Sequence, residues 1–184
     1  HFAVHKPLQA KTNLIAKLQA KSPAGGHKDP TYAAMIASVD ESVGRLYNLL
    51  KSRGELDNTI IVFNSDNGGL PEVTPSSVGN LRGFKNTLYE GGLRVPGIIE
   101  WPAVIKPGLV ANDVACSIDL FDTILDASAR GAKEQPDRPR EKPRDGWSLQ
   151  GVLSGEKLKD RPLFWHYPHY ANQGSRPGGA VRKG

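Results

Sequence analysis

Residues 59–69 read "TIIVFNSDNGG", and the join inside this stretch decides how the chain folds. Thr59 to Phe63 is β-branched and aromatic without alternation, the pattern of a central parallel strand covered on both faces. Asn64, Ser65, Asp66 and Asn67 follow at once, and two glycines close the run. Small polar residues in such a row build turns. Their carboxylate and amide oxygens also suit a hard cation, Ca²⁺ or Mg²⁺, better than zinc. In open parallel sheets, ligands gather beyond the carboxyl ends of the strands, where residues 64–69 would lie. Turn and half of a cation site both fit the local pattern.

Working outward, the stretch before the strand is the strongest helix signal in the chain. Asp29 suits an N-cap and Pro30 a first helical position. Tyr32, Met35, Ile36, Val39, Val43, Leu46 and Leu50 then recur at spacings of three and four, which predicts an amphipathic helix. Gly54 is its expected stop. Helix, short turn and buried strand make half of a βαβ unit. Earlier still, "HFAVH" alternates and predicts a short strand ending at Lys6-Pro7, and residues 8–30 run from a basic helix into a Pro/Gly loop.

Downstream, residues 70–92 carry Pro, Ser and Gly throughout and predict a long structured loop. A second strand is expected over residues 97–101. "SIDLFDTILDASARG" predicts a helix with Ile118, Phe121 and Leu125 on one side and Gly131 closing it. The Pro-broken charge run of residues 133–146 reads as a solvated loop. "RPLFWHYPHYANQGSRPGG" starts as an aromatic strand and dissolves into turn residues.

The totals bound the answer. With 184 residues, 38% hydrophobic and 23% charged, the chain can bury the core of one sizeable globular domain. A net charge of +5 accommodates either an anionic substrate or nucleic acid. The single cysteine, Cys116, excludes an internal disulfide and reads as a small buried residue. No apolar run approaches the roughly 20 residues a membrane helix needs. The opening "HFAVHKP" has neither an initiator Met nor a basic-then-apolar leader, so a piece of a longer polypeptide is expected.

Two further residues stand beside Asp66 and Asn67 as candidates for chemistry. Lys85, in "RGFKNTLYEGG", sits among glycines that let backbone approach a ligand, and its ammonium is a compact charge for an anionic oxygen. His5, next to Lys6-Pro7, can orient by one ring nitrogen and donate by the other. A surface lysine and a partly buried histidine are the plain alternatives. His166 and His169, with Tyr167 and Tyr170, suit either a sugar subsite or an aromatic strand packed on the core. Glu90 and Arg94 read as residues that hold the loop.

"VHKP", "NSDNGG" and "GFKNTLYEGGLRVP", in this order and at these separations, resemble the type I sulfatases of the alkaline phosphatase superfamily. "YAAMIASVDESVGRLYNLL" and "RPLFWHYPHY" are similar to bacterial members. The likeness covers nearly the whole chain and implies the later part of a catalytic domain over residues 1–162, with residues 163–184 leading toward a C-terminal subdomain. The implied fold is α/β, a mixed, largely parallel sheet flanked by helices, incomplete at its N-terminus.

Carried onto this sequence, the resemblance implies Asp66 and Asn67 as ligands of an active-site Ca²⁺, with Mg²⁺ a second possibility. Lys85 would hold sulfate oxygens, and His5 would contact the sulfate or the leaving-group oxygen. The family's nucleophile, a formylglycine made within a Cys/Ser-x-Pro/Ala-x-Arg motif, would lie outside this chain, since Cys116 in "VACSIDLF" does not match. A sulfated glycan or aryl sulfate is the implied substrate, without nucleic acid, and a periplasmic or secreted location goes with the family.

Two alternatives remain. A phosphoester hydrolase of the same superfamily usually carries an Asp-x-His ligand pair on zinc, and "SDNGG" has no adjacent His. A non-catalytic module binding polyanions would interleave basic and aromatic residues on one face. Here the densest basic cluster lies in the Pro-broken run without an aromatic.

Overall fold

A computed structural model describes residues 3–23, 27–129, 144–170 and 176–183. The chain divides into two compact units, one formed by His1–Glu100 with Pro162–Lys183 and the other by Trp101–Arg161.

In the first unit, helix α1 (Thr12–Gln19) packs on the long helix α2 (Pro30–Ser52). The start of α2 is the expected one: the Asp29 carboxylate accepts the Tyr32 N–H at 2.7 Å and Pro30 occupies the first turn. Its end is equally legible, because Gly54 takes a left-handed φ of 68° that side chains resist. Leu14, Ala34 and Met35 are buried, and Lys11 bridges to Glu41 at 3.0 Å. A 3-10 turn at Leu56–Asn58 buries Leu56 and leads into strand β1 (Ile61–Asn64).

Strand β1 departs from the sequence expectation. It pairs antiparallel with β2 (Gly97–Glu100), Val62 opposite Ile99 and Asn64 opposite Gly97, and has no other strand partner among the described residues. The reason lies in the connection: residues 65–96 contain only the one-turn helix α3 (Glu90–Leu93), and a parallel return needs a full crossover. The apolar run is also uncovered here, with Phe63 46% and Ile98 60% exposed. Its pattern reports a burial that the elements among the described residues do not provide.

The expected strand at the start of the chain is a turn and bend over residues 3–7. Strand β3 (Leu163–Tyr167) forms as expected and ends in residues 168–170 without regular structure; residues 171–175 lie outside the described residues. A further strand follows that the sequence did not lead us to expect. Gly178–Arg182 forms β4, antiparallel to β3 with Trp165 opposite Ala180. A glycine-rich strand carries almost no propensity signal, and cross-strand pairing with β3 decides its conformation.

In the second unit, helix α4 (Asp119–Ser128) buries a different side from the one that carries Ile118 and Phe121. Phe121 is 63% exposed and Ile118 45%, whereas Asp119, Asp122 and Thr123 are buried. Leu125 is half-buried. Helix α5 (Gln150–Leu153) packs near it, and Trp101, Leu149 and Leu153 complete the apolar interior. Cys116 is half-buried, not fully buried, and its N–H serves the Asp119 carboxylate. Gly131 and most of the charge run, residues 133–143, lie outside the described residues.

Candidate active site

The turn after β1 and the loop that carries Lys85 are stitched together by backbone. Gly68 N–H donates to the Gly92 carbonyl at 3.0 Å, and Lys85 N–H donates to the Gly69 carbonyl at 2.9 Å. Two stretches 16 residues apart, at Gly69 and Lys85, are thereby held side by side at the end of β1. The contact is close because it is made by glycines. A Cβ on Gly68 would collide with the Gly91 carbonyl, one on Gly91 with the Gly83 carbonyl, and one on Gly92 with the Thr87 carbonyl. The glycine pairs in "NGG" and "EGG" are therefore a packing joint. Gly91→Ala is expected to destabilise the first unit by about 3 kcal/mol, the upper end for overpacking, because the obstruction is backbone. A denaturation midpoint equal to wild type would show that the joint yields.

Within the loop, Thr87 N–H closes a turn onto the Phe84 carbonyl at 3.0 Å, and the Thr87 hydroxyl accepts the Phe84 N–H at 3.1 Å. Asn86 has a φ of 72°, a conformation Asn tolerates at the third position of such a turn. This fixes the backbone from which Lys85 projects. Its Nζ lies 3.3 Å from Nε2 of His5. An ammonium only donates, so Nε2 accepts and the His5 ring proton resides on Nδ1 in this arrangement. Two residues 80 positions apart, singled out separately in the sequence, meet.

Asp66 is exposed and its carboxylate makes no ion pair or side-chain hydrogen bond among the described residues, while Ser65 Oγ donates to the Asn67 carbonyl at 2.8 Å. The side-chain oxygens of Asp66 and Asn67 thus remain uncommitted on one anchored turn. Their chemistry fits a hard cation, and their number fits only part of the six or more oxygens that Ca²⁺ takes. Among the described residues no group of three or more His, Cys, Asp or Glu side chains gathers to hold a metal.

Glu90 and Arg94 pair at 3.5 Å across the single turn of α3. The sequence reading missed the stronger partner, Arg182 of β4, whose guanidinium reaches Glu90 at 2.7 Å. A lone basic residue near the chain's end carried no signal of this. Arg82 stacks on the Tyr89 ring at 4.0 Å and donates to its hydroxyl, which braces the same loop. His166 is exposed on β3 opposite Gly179, and His169 stands edge-on to Tyr167 at 5.6 Å between ring centres. Among the described residues neither is hydrogen-bonded to His5 or Lys85.

Residues 2–129 match the family described as Sulfatase, and the chain belongs to that family. It is 36% identical over 192 residues to a sulfatase of Formosa agariphila, which covers 97% of this chain and 34% of that protein. Mouse N-acetylgalactosamine-6-sulfatase is 35% identical over 138 residues, covering 73% of this chain and 25% of that one. The solved structure of Ps i-CgsB in complex with k-i-k-neocarrahexaose superposes with a TM-score of 0.77 at 31% identity, over 98% of this chain and 37% of its own. The fold is therefore α/β and alkaline phosphatase-like. The chain spans about a third of the length of the first of these relatives.

Proposed function

We propose that a full-length protein carrying this chain hydrolyses sulfate esters, with His5 and Lys85 at the reacting group and Asp66 and Asn67 as part of a calcium site. The observation that carries the reading is the 3.3 Å approach of Lys85 Nζ to His5 Nε2, beside a turn with uncommitted oxygens that is bonded to the Lys85 loop. A sulfate seated there would take the Lys85 ammonium as donor to an oxygen on which negative charge builds, and such preorganised donors are worth most in a water-poor site. Moving the ammonium onto sulfate would also release Nε2 of His5. With a proton taken up at Nε2, His5 could then donate it to the departing alkoxide, a role that typically gains about 10²–10⁴-fold.

Bound calcium would supply a fixed positive charge on the sulfate oxygens, and a formylglycine elsewhere in the protein the nucleophile. A net charge of +5 favours encounter with a polyanion. A sulfated glycan is accordingly the substrate we favour, met in the periplasm or outside the cell. Among the described residues no helix is long and apolar enough to cross a membrane.

The test is sulfate release by the full-length protein from an aryl sulfate, against the matching aryl phosphate. Lys85→Ala is expected to lower kcat by roughly a hundredfold, corresponding to about 3 kcal/mol. Lys85→Arg should restore little, because a planar fork does not replace a compact ammonium. Wild-type kinetics in Lys85→Ala would make Lys85 a surface lysine, and a preference for phosphate would move the protein to the phosphoester hydrolases.

A further inference from the structure

Lys85 is placed by its loop, and strand β4 grips that loop from outside. Glu90 opens α3 between two backbone anchors: Gly91 N–H donates to the Arg82 carbonyl at 2.7 Å, and Gly92 N–H to the Tyr89 carbonyl at 2.9 Å. The Glu90 carboxylate receives Arg182 Nη1 at 2.7 Å across 92 positions of sequence. Arg182 is a firm attachment point, because it stands opposite Leu163 in the β3–β4 register and Leu163 is buried. The same strand meets the loop a second time, since a Cβ on Gly178 would lie 3.8 Å from Leu88 Cδ1, an ordinary van der Waals contact. β4 thus lies against the loop at Leu88 and at Glu90.

The pair does little for the fold as a whole. The Glu90 side chain is 48% exposed and that of Arg182 38%, and ion pairs so open to water stabilise a protein weakly. Its consequence is local. Backbone bonds among residues 68–92 set the shape of the loop, while side chains reaching in from elsewhere set how that shape is seated. Arg182 holds the α3 end of the loop, and His5 meets Lys85 at its other end, with Nζ 3.3 Å from Nε2. A charge that acts on a transition state depends on such seating to a fraction of an ångström. The bond itself is simple: Nη1 reaches Glu90, and Nε is buried without a hydrogen-bond partner among the described residues.

We infer that Arg182 is a positioning residue: through Glu90 it seats the loop so that the Lys85 ammonium meets the reacting ester. The inference rests on the sulfatase reading, and its test separates the two. Full-length wild type, Arg182→Ala, Arg182→Lys, Lys85→Ala and the double variant Arg182→Ala with Lys85→Ala are assayed on 4-nitrophenyl sulfate, with circular dichroism as the check on folding. A misplacement of about 1 Å can cost on the order of 10²-fold; with the backbone joint intact, Arg182→Ala should lower kcat about tenfold and leave KM within about twofold. Arg182→Lys should recover most of the loss, since one ammonium can replace one N–H donor. Glu90→Gln, which removes the charge and keeps the shape, should reproduce the loss and stands in for Arg182→Ala should that variant not fold. In the Lys85→Ala background Arg182→Ala should cost nothing further, because the ammonium it acts through is gone. Wild-type kcat in Arg182→Ala, or an equal loss in both backgrounds, would overturn the inference. Should wild type not hydrolyse the ester, the sulfatase reading fails by itself, and hydrogen exchange decides the tie. Exchange at the Lys85 N–H about tenfold faster in Arg182→Ala, with α2 unchanged, supports it, and equal exchange overturns it.

Discussion

Asp66→Ala in a full-length protein carrying this chain is expected to abolish measurable turnover, a loss of roughly 10³-fold or more, and to lower its bound calcium. The turn that presents Asp66 is anchored by backbone hydrogen bonds of Gly68 and Gly69, so the substitution removes a carboxylate without removing the turn. Asp66 is exposed and unpaired among the described residues, and no structural interaction is lost with it. A metal-borne charge on the reacting oxygens is worth several kcal/mol, and about 4 kcal/mol corresponds to 10³-fold in rate. Excess calcium should rescue little, because Asn67 contributes only a neutral oxygen. Metal analysis and circular dichroism accompany the assay. Full calcium content with full activity would show that "DNG" is a turn alone, and loss of activity with loss of fold would remove the metal argument.

What the sequence made legible follows from how local each signal is. The cap at Asp29, the stop at Gly54 and a strand over Thr59 to Phe63 depend on neighbours within a few residues, and the structure has the cap, the stop and a strand shifted to Ile61–Asn64. His5 and Lys85 were separately recognisable, but their 3.3 Å approach depends on a backbone joint of four glycines that periodicity cannot express. β4 needed its partner β3 before its glycines had any preferred shape. The exposed faces of β1 and β2 are the reverse case: Thr59 to Phe63 records burial on both sides, and 46% of Phe63 remains open to solvent. A chain spanning about a third of a relative's length has less apolar surface to close such a face.

Helix α4 supplies the sharpest divergence and the last prediction. Phe121 is the bulkiest apolar residue of α4. In the structure Asp119 is fully buried and accepts the Cys116 N–H at 2.7 Å, the Trp147 N–H at 2.9 Å and the Arg161 guanidinium. Arg161 is itself only 6% exposed and lies over the Trp147 ring at 4.9 Å. Thr123 extends the network, accepting the Leu149 N–H at 2.9 Å, and Asp122 pairs with Arg144. Asp119→Ala would strand a buried guanidinium and two part-buried N–H groups, and breaking such a pair costs about 3–5 kcal/mol. For a unit of this size that is most or all of its stability. Asp119→Asn should rescue only partly, since its amide N–H₂ would face the donors of Arg161. Asp119→Leu with Arg161→Met should not rescue either, because the Cys116 and Trp147 N–H groups stay unsatisfied. Phe121→Ala, at a side chain 63% exposed, should change stability by no more than about 0.5 kcal/mol. Urea denaturation of the 184-residue chain, followed by tryptophan fluorescence, ranks the two. A larger loss for Phe121→Ala than for Asp119→Ala would mean that the apolar spacing, not the buried carboxylate network, decides which side of α4 faces inward.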